Sequence, residues 1–507
     1  MRIDAQVFAE PSRRDGHRHS LKKGLHLRKP ALINAGLPED PRSVHLVGAC
    51  GVGMAGVAGL FLSSGRNVTG SDQAVYPPMS DYLERIGIQV SEGYGPENLS
   101  PRPDLVVVGN VIKKDNPEAR AIEDLQIPFV SMPEAIEKYF LRDKLSLVVT
   151  GSHGKTTISS MVSWILYDQG RDPSFLIGGL PLNFNVSSRL GKGELFVIEG
   201  DEYDSAYFDK QPKCLHYRPF VGIVTSCEFD HCDIYHNILE IRTQFEKFLR
   251  LVPDHGSILA CSDDPVVCDI LQSNNFRAET YGLGPESFWN LSDIKDTGSG
   301  MHADFRKDQE TFITGTLPVI GRHNLLNALV SIAAVSKVGV EPRDAFDSLR
   351  SFRGVTRRQQ TSCINANVTL IDDFAHHPSE VRETLAGFRL RFPGRRLVAV
   401  FEPRTNTSRR SIFQDTYLES FLQADLIALR EPPNRWKAPQ GDLFSSFKLA
   451  EELVKKGKVA QAFPDAKAII DFLAVELQHD DVVIVMSNGS FENLIARLCA
   501  RWEDHER

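Results

Sequence analysis

The stretch that most restricts how this chain can fold is Leu145 to Thr157. There the apolar run Leu145-Ser146-Leu147-Val148-Val149-Thr150 passes directly into Gly151-Ser152-His153-Gly154-Lys155-Thr156-Thr157 and then into a helical pattern. A buried strand, a glycine turn and a helix in that order call for a sheet with a crossing helix packed over it. Backbone N–H groups at a helix start carry partial positive charge, glycines let them close around phosphates, and Lys155 adds a full charge. Gly151, Ser152, His153, Gly154, Lys155, Thr156 and Thr157 are therefore candidate ATP contacts, with the Thr156 hydroxyl available to Mg²⁺. The strict eight-residue loop pattern asks for glycine where Val149 stands, so the motif is met in part. A plain glycine turn capped by Thr156 is the bland alternative.

At 507 residues the chain exceeds what one core serves, and the length favours about three domains. From Val44 the order is a short apolar run, a glycine cluster, a small-residue helix to Ser64 and a second strand at Asn67 to Gly70. Strands follow at Asp104–Val108 and Phe129–Ser131, with a helix at Ala119–Leu125 between them. The charged segment Leu141–Lys144 marks a boundary. The second block carries strands Leu195–Ile198 and Val221–Thr225 and a helix at Asn324–Val338. The third carries strands Val368–Asp372, Leu397–Phe401, Leu426–Leu429 and Val482–Met486, with a helix from Ser379. The fold class is α/β, in blocks of 43–143, 144–355 and 356–507 built on mostly parallel sheets. Residues 1–42 are basic (Arg13, Arg14, Arg18, Lys22, Lys23, Arg28, Lys29) and lack the apolar stretch of a secretory signal. They are expected to be a disordered N-terminal extension, and a transit peptide or an upstream start codon would look similar.

A net charge of -8 argues against a chain that wraps nucleic acid. No run approaches the roughly 18 apolar residues of a membrane span. The eight cysteines show no CxxC pair, which fits reduced thiols and a cytoplasmic protein.

A second glycine loop, Gly51-Val52-Gly53-Met54-Ala55-Gly56, satisfies GxGxxG, and Asp72 follows about twenty residues on. Alone it suggests a nicotinamide dinucleotide, but the same turn cradles any pyrophosphate, including that of a UDP-sugar. Close helix–sheet packing is its structural alternative. Carboxylates gather at two strand ends, in Glu199-Gly200-Asp201-Glu202-Tyr203-Asp204 and in Cys227-Glu228-Phe229-Asp230-His231. Ligands bind beyond the carboxyl ends of strands in open sheets, so the two turns together could hold Mg²⁺. Magnesium prefers oxygen, which leaves His231 open as a capping or satisfied histidine, and Glu202 and Asp204 open as solvated surface groups.

In chain order, GSHGKTT, EGDEYD, EFDH, GRHNLLNA and DDFAHHP resemble the Mur ligase family, over about residues 43–507. The resemblance implies a Rossmann-like UDP-binding domain, a central ATPase domain and a Rossmann-like C-terminal domain that closes over the nucleotide. It implies an ATP- and Mg²⁺-dependent ligase that activates the lactyl carboxylate of UDP-N-acetylmuramate as an acyl phosphate and passes it to an amine. Within the family, Tyr76-Pro77-Pro78-Met79-Ser80, Tyr203 and Ser487-Asn488-Gly489 separate the chain from the L-alanine-adding members and imply a cell-wall tripeptide as the amine.

Carried over position by position, the pattern makes Lys155 the phosphate lysine and Thr156, Glu199 and His231 the metal ligands. Asn324 and Asn327 face adenine. Arg358 or Arg357 is the interdomain arginine, Asp372 or Asp373 the ribose acid, and His376 and His377 lie beside the reacting centre, with His376 a candidate proton acceptor. Gly51, Val52, Gly53, Met54, Ser71 and Asp72 contact the UDP-sugar, and Arg404, Asn406, Ser487 and Asn488 the amine substrate. No counterpart of the carbamoylated lysine that several members carry is read after Glu199. As structural alternatives, Asn324 caps its helix and Arg357 and Arg358 form a solvated linker. A monomer or weak dimer is expected. The rival functions are an L-alanine ligase, an NAD-dependent oxidoreductase using the first loop, and a non-catalytic nucleotide-binding regulator.

Overall fold

Short runs of β-branched residues decide where the sheets lie. Leu105–Val108, Leu397–Phe401 and Val482–Met486 are buried at every position, as strands covered by helices on both faces must be. The computed structural model describes residues 36–75, 79–365, 368–437, 439 and 441–505. Most of the expected N-terminal extension and Tyr76-Pro77-Pro78 lie outside the described residues. From Pro38 onward the described residues form one compact unit, which holds the three sheets.

The first sheet has five parallel strands in the order Gln89–Glu92, Asn67–Asp72, Ser43–Val47, Leu105–Val108, Phe129–Ser131. The chain reverses its direction of travel between Ser43–Val47 and Leu105–Val108, and the first glycine loop opens at that switch point. Helix Val52–Ser63 follows the loop and is buried from Met54 to Phe61. A Cβ on Gly56 would stand 2.4 Å from Leu176 Cδ1, so glycine is what lets this helix touch the second sheet.

The second sheet has ten strands. Leu145–Thr150 sits between Pro219–Val224 and Leu195–Gly200, all parallel, and Ser257–Cys261, Glu279–Gly282 and Ser174–Leu176 extend the parallel part. Beyond Glu279–Gly282 come Trp289–Asp296, Met301–Lys307 and Glu310–Leu317, the last two pairings antiparallel. This meander is absent from the sequence reading because its strands intersperse polar and charged residues with apolar ones and so lack an apolar run. Helices Lys155–Asp168 and Arg322–Ser336 pack on this sheet around Ile158, Val162, Leu325 and Leu329. The third sheet runs Gln360–Asn365, Val368–Asp373, Val482–Met486, Leu397–Phe401, Leu426–Arg430, Val459–Phe463, and all but its first pairing are parallel.

Candidate active site

The phosphate loop is held in shape by the neighbouring strand end. Ser152 N donates to Ser226 O at 3.0 Å, and Thr225 Oγ1 donates to His153 O at 2.6 Å. Gly151 has φ of 125°, and a Cβ there would stand 2.8 Å from the Thr225 and Ser226 backbone nitrogens. Only glycine serves at that position. Gly154 is the N-cap of helix Lys155–Asp168, so the free N–H groups of its first turn open beside Lys155.

Lys155 is answered by acid. Its ammonium lies 3.1 Å from Glu202 Oε2 and also donates to Gly151 O. Burial works against its charge, but Glu202 and then Asp201 outweigh that and hold it above the usual lysine range. Glu202 is 2% exposed and lies 3.2 Å from His231 Nε2, so the solvated reading of Glu202 is corrected to a buried ion pair. Asp204, half-buried, pairs with Lys210 at 2.7 Å. Burial opposes the charge of His231 too, yet Glu202 lifts it to about 9.

Thr156 Oγ1 donates to Glu199 Oε2 at 3.0 Å, and Gly178 N donates to Glu199 Oε1 at 2.6 Å. Burial, reinforced by Asp201, pushes the Glu199 carboxyl up to about 7. A carboxylate in that condition is one a divalent cation would stabilise. Thr156, Glu199 and His231 all line one cavity of about 390 Å³. The oxygen donors suit Mg²⁺, and His231 would have to give up its proton and its Glu202 contact to join them.

The same cavity is lined by Gly51, Val52, Gly53 and Met54 of the first domain and by Arg358, Phe374, His376 and Glu380 of the third. The two glycine loops therefore open onto one space. Ser71 is not brought there: it is fully buried and donates its hydroxyl to Glu118 Oε1 at 2.8 Å. Asp72 accepts from Cys50 N at 2.8 Å and so fixes the start of the first loop.

A second cavity, of about 230 Å³, shares His153, Gly154, Arg358 and Glu380 with the first and has Thr157, Asn324, Asn327 and Asp373 in its lining. Asn324 does not cap its helix. The N-cap is Gly321, and the Asn324 amide donates to Ile320 O at 3.0 Å and to Gln359 Oε1 at 2.9 Å. Asn327 Nδ2 donates to Asn324 Oδ1 at 3.1 Å, tying the two amides together.

Arg357 and Arg358 are not a solvated linker, and the structure separates them. Arg357, in the left-handed region with φ of 61°, pairs with Asp372 at 3.3 Å and donates to Ser487 O and Gly489 O at 2.7 and 2.6 Å. Arg358 instead lies 3.7 Å from Glu380 and lines both cavities. Successive strand residues point to opposite sides, so Asp372 goes with Arg357 while Asp373 faces the second cavity. Asp373 accepts from Gln359 N at 2.8 Å and Ala375 N at 2.7 Å, and burial lifts its carboxyl to about 6 despite Arg358.

A charged seam joins the second and third domains. His153 Nδ1 lies 3.3 Å from Glu380 Oε1, and His153 Nε2 lies 3.6 Å from Glu228 Oε2. Burial opposes the imidazolium, but Glu228 and Glu380 raise His153 to about 10. Glu228, held down to about 2 in spite of burial by His153, also accepts from Ser379 Oγ at 2.6 Å. His377 is driven down to about 4 by burial and by the neighbouring His153. His376 Nδ1 lies 3.2 Å from Glu380 Oε2. Glu380 escaped the sequence reading. Its signal was its place three residues after His377, where it completes a capping box on helix Pro378–Arg391.

The four residues carried over as amine contacts sit at adjacent strand ends of the third sheet, outside the linings of both cavities. Asn406 Nδ2 donates to Asp233 Oδ2 at 2.9 Å, which docks its loop on the turn after His231. Ser487 Oγ donates to Glu402 Oε2 at 2.6 Å. Arg404 lies against Gly489, where a Cβ would stand 2.0 Å from Nη1. Asn488 Oδ1 is buried with no hydrogen-bond partner among the described residues.

Three α/β domains that set a phosphate loop, a second glycine loop and a carboxylate cluster around one cavity define a nucleotide-dependent group-transfer protein. Family models match in three successive stretches: the Mur ligase family catalytic domain over residues 43–143, the Mur ligase middle domain over 149–335 and the Mur ligase glutamate ligase domain over 357–489. The chain belongs to the Mur ligase family. It is 37% identical to the UDP-N-acetylmuramate–L-alanyl-γ-D-glutamyl-meso-2,6-diaminoheptandioate ligase of Escherichia coli strain K12, over 90% of this chain and 97% of that one. It is 33% identical to the UDP-N-acetylmuramate–L-alanine ligase of Acetivibrio thermocellus, over 89% and 94% of the two chains. A solved murein peptide ligase from Psychrobacter arcticus 273-4 matches with a TM-score of 0.67 at 33% identity, over 90% of this chain and 98% of that chain.

Proposed function

We propose that the chain joins the tripeptide L-alanyl-γ-D-glutamyl-meso-diaminopimelate to the lactyl carboxylate of UDP-N-acetylmuramate, with ATP converted to ADP and phosphate, as a step of peptidoglycan recycling. The observation that carries this reading is the cavity into which the two glycine loops open together, with Lys155 and the acid cluster between them. A pyrophosphate on the first loop and a triphosphate on the second would place a carboxylate next to a γ-phosphoryl group. Likeness to the tripeptide-adding relative favours the peptide over L-alanine as the amine.

An amine does not displace oxide from a free carboxylate. A carboxylate oxygen first attacks the γ-phosphorus, and ADP leaves. The amine nitrogen then adds to the acyl carbon, phosphate leaves, and the nitrogen gives up its proton as the amide forms. Phosphoryl transfer relies on positioning and charge neutralisation, which Lys155 and Arg358 supply from two domains. Thr156, Glu199 and His231 are the residues that would hold Mg²⁺. When bound, the metal neutralises charge on the phosphates. An α-amine of pKa near 8 is roughly one-tenth neutral at pH 7, a penalty of about 1.4 kcal/mol, so no strong base is required. Release of that proton to solvent suffices, with His376 of the cavity lining as the alternative acceptor.

The test is a coupled assay of ADP release with UDP-N-acetylmuramate, ATP and a panel of amines. Turnover with the tripeptide well above that with L-alanine supports the reading. The reverse order makes the chain an L-alanine ligase, and no ADP with any amine removes the ligase reading.

A further inference from the structure

The proposed reaction must bring two anions together, the terminal phosphoryl group of a nucleotide and the carboxylate that attacks it. Lys155 belongs to the phosphate loop and serves the first. The wall of the same cavity holds a second lysine, Lys213, at the start of the 3-10 turn Lys213–His216. It is 8% exposed, and a lysine that deep is tolerated only when its charge is answered. Lys213 Nζ donates to Asp201 Oδ2 at 3.0 Å and to Tyr203 Oη at 3.0 Å, and lies 4.2 Å from the centroid of the Tyr203 ring. An ammonium has three N–H donors, and among the described residues these are its two hydrogen bonds.

Asp201, which accepts from Lys213 Nζ, lines the same cavity as Lys155. Gly51–Met54, Lys213 and Lys155 all line this one cavity. A carboxylate carried on a nucleotide seated at the first loop and aimed at the phosphate loop would therefore enter the space that Lys213 lines. The short segment that supplies Asp201 and Tyr203 sets the ammonium's position by a charge and a hydroxyl, which is how a buried cation is kept ready for an incoming anion.

We infer that Lys213 is a specificity-determining residue that receives the carboxylate of the acceptor, with Asp201 and Tyr203 holding its ammonium at the cavity wall. This rests on the functional reading above. A purely structural Lys213 would tie down the Asp201–Tyr217 segment without reading the acceptor's charge, so the decisive readout is selectivity for that charge.

The experiment titrates the full chain calorimetrically with UDP-N-acetylmuramate and with UDP-N-acetylglucosamine, which lacks the lactyl acid. The unaltered chain is expected to prefer the acid-bearing nucleotide by about 10- to 100-fold, the range of a charged hydrogen bond. Lys213→Met is expected to erase that preference while binding of the acid-free nucleotide stays within about 2-fold, and Lys213→Arg to restore part of it. In turnover, Lys213→Met raises KM for the acid-bearing nucleotide and leaves KM for ATP in place. Tyr203→Phe, which removes one hydroxyl and keeps the ring, is expected to lower the preference in the same direction should Lys213→Met not fold. Preference retained in these variants, or both nucleotides weakened equally, overturns the assignment. An unaltered chain that binds neither nucleotide overturns the functional reading itself.

Discussion

Replacing Glu380 by Gln tests whether the seam between the second and third domains controls the nucleotide site. Glu380 Oε2 accepts from His376 N at 3.0 Å and His377 N at 3.3 Å, and a glutamine oxygen can keep both caps. What is lost is the negative charge that faces His153 at 3.3 Å and Arg358 at 3.7 Å. At an effective dielectric constant near 20, a pair at that distance has a gross attraction of about 5 kcal/mol, and burial of both groups consumes much of it. The net figure follows from His153, which the two carboxylates Glu228 and Glu380 raise from 6.5 to about 10. Each pH unit of that rise corresponds to about 1.4 kcal/mol, so forfeiting roughly half of it costs about 2 kcal/mol. Because His153 belongs to the phosphate loop and Glu380 to the third domain, the loss falls on their docking. The variant is expected to lose roughly 30-fold in kcat/KM for ATP, read by ADP release, and to scatter X-rays as a more open particle. A kcat/KM within 2-fold of the unaltered chain, with an unchanged scattering curve, refutes the reasoning.

The remaining expectations concern charge and the phosphate loop. The raised pKa of His153 contributes stability that is fully present below pH 6.5 and is lost as pH rises through about 10, while the lowered pKa of Glu228 contributes stability present above pH 4.5 and lost as pH falls through about 2. Denaturant midpoints are therefore expected to be highest between those limits and to fall on the alkaline side, with a shallower alkaline fall in Glu380→Gln. An identical pH profile in the two proteins counts against the ion cluster. Lys155→Ala is expected to abolish ADP release while the chain stays folded, and to lower the unfolding free energy by about 3 kcal/mol because Glu202 keeps only His231. Near-normal turnover would remove Lys155 from the mechanism. Thr156→Ala deletes the hydroxyl 3.0 Å from Glu199 and is expected to shift the magnesium titration of activity to higher concentration; an unchanged titration argues against Thr156 as a ligand.

The sequence by itself determined what is encoded between near neighbours. Leu145–Thr150 running into Gly151–Thr157 reads as strand, anion-binding turn and helix, because a glycine at positive φ and a free helix start are local properties. The alternation of apolar runs and helices fixed three α/β blocks for the same reason, and it missed the meander Trp289–Leu317, whose half-buried strands carry no such run. Tertiary structure alone decided which member of each adjacent pair faces a cavity. Arg358 and Asp373 face the second cavity while Arg357 turns toward Ser487 and Gly489 and pairs with Asp372, a choice made by strand alternation and one left-handed residue. It also buried Ser71 against Glu118, set Glu380 of the third domain against His153 of the phosphate loop, and sank Lys213 beside Asp201. Such contacts span long stretches of chain, and the burial and charge balance that give them meaning exist only once the domains are packed.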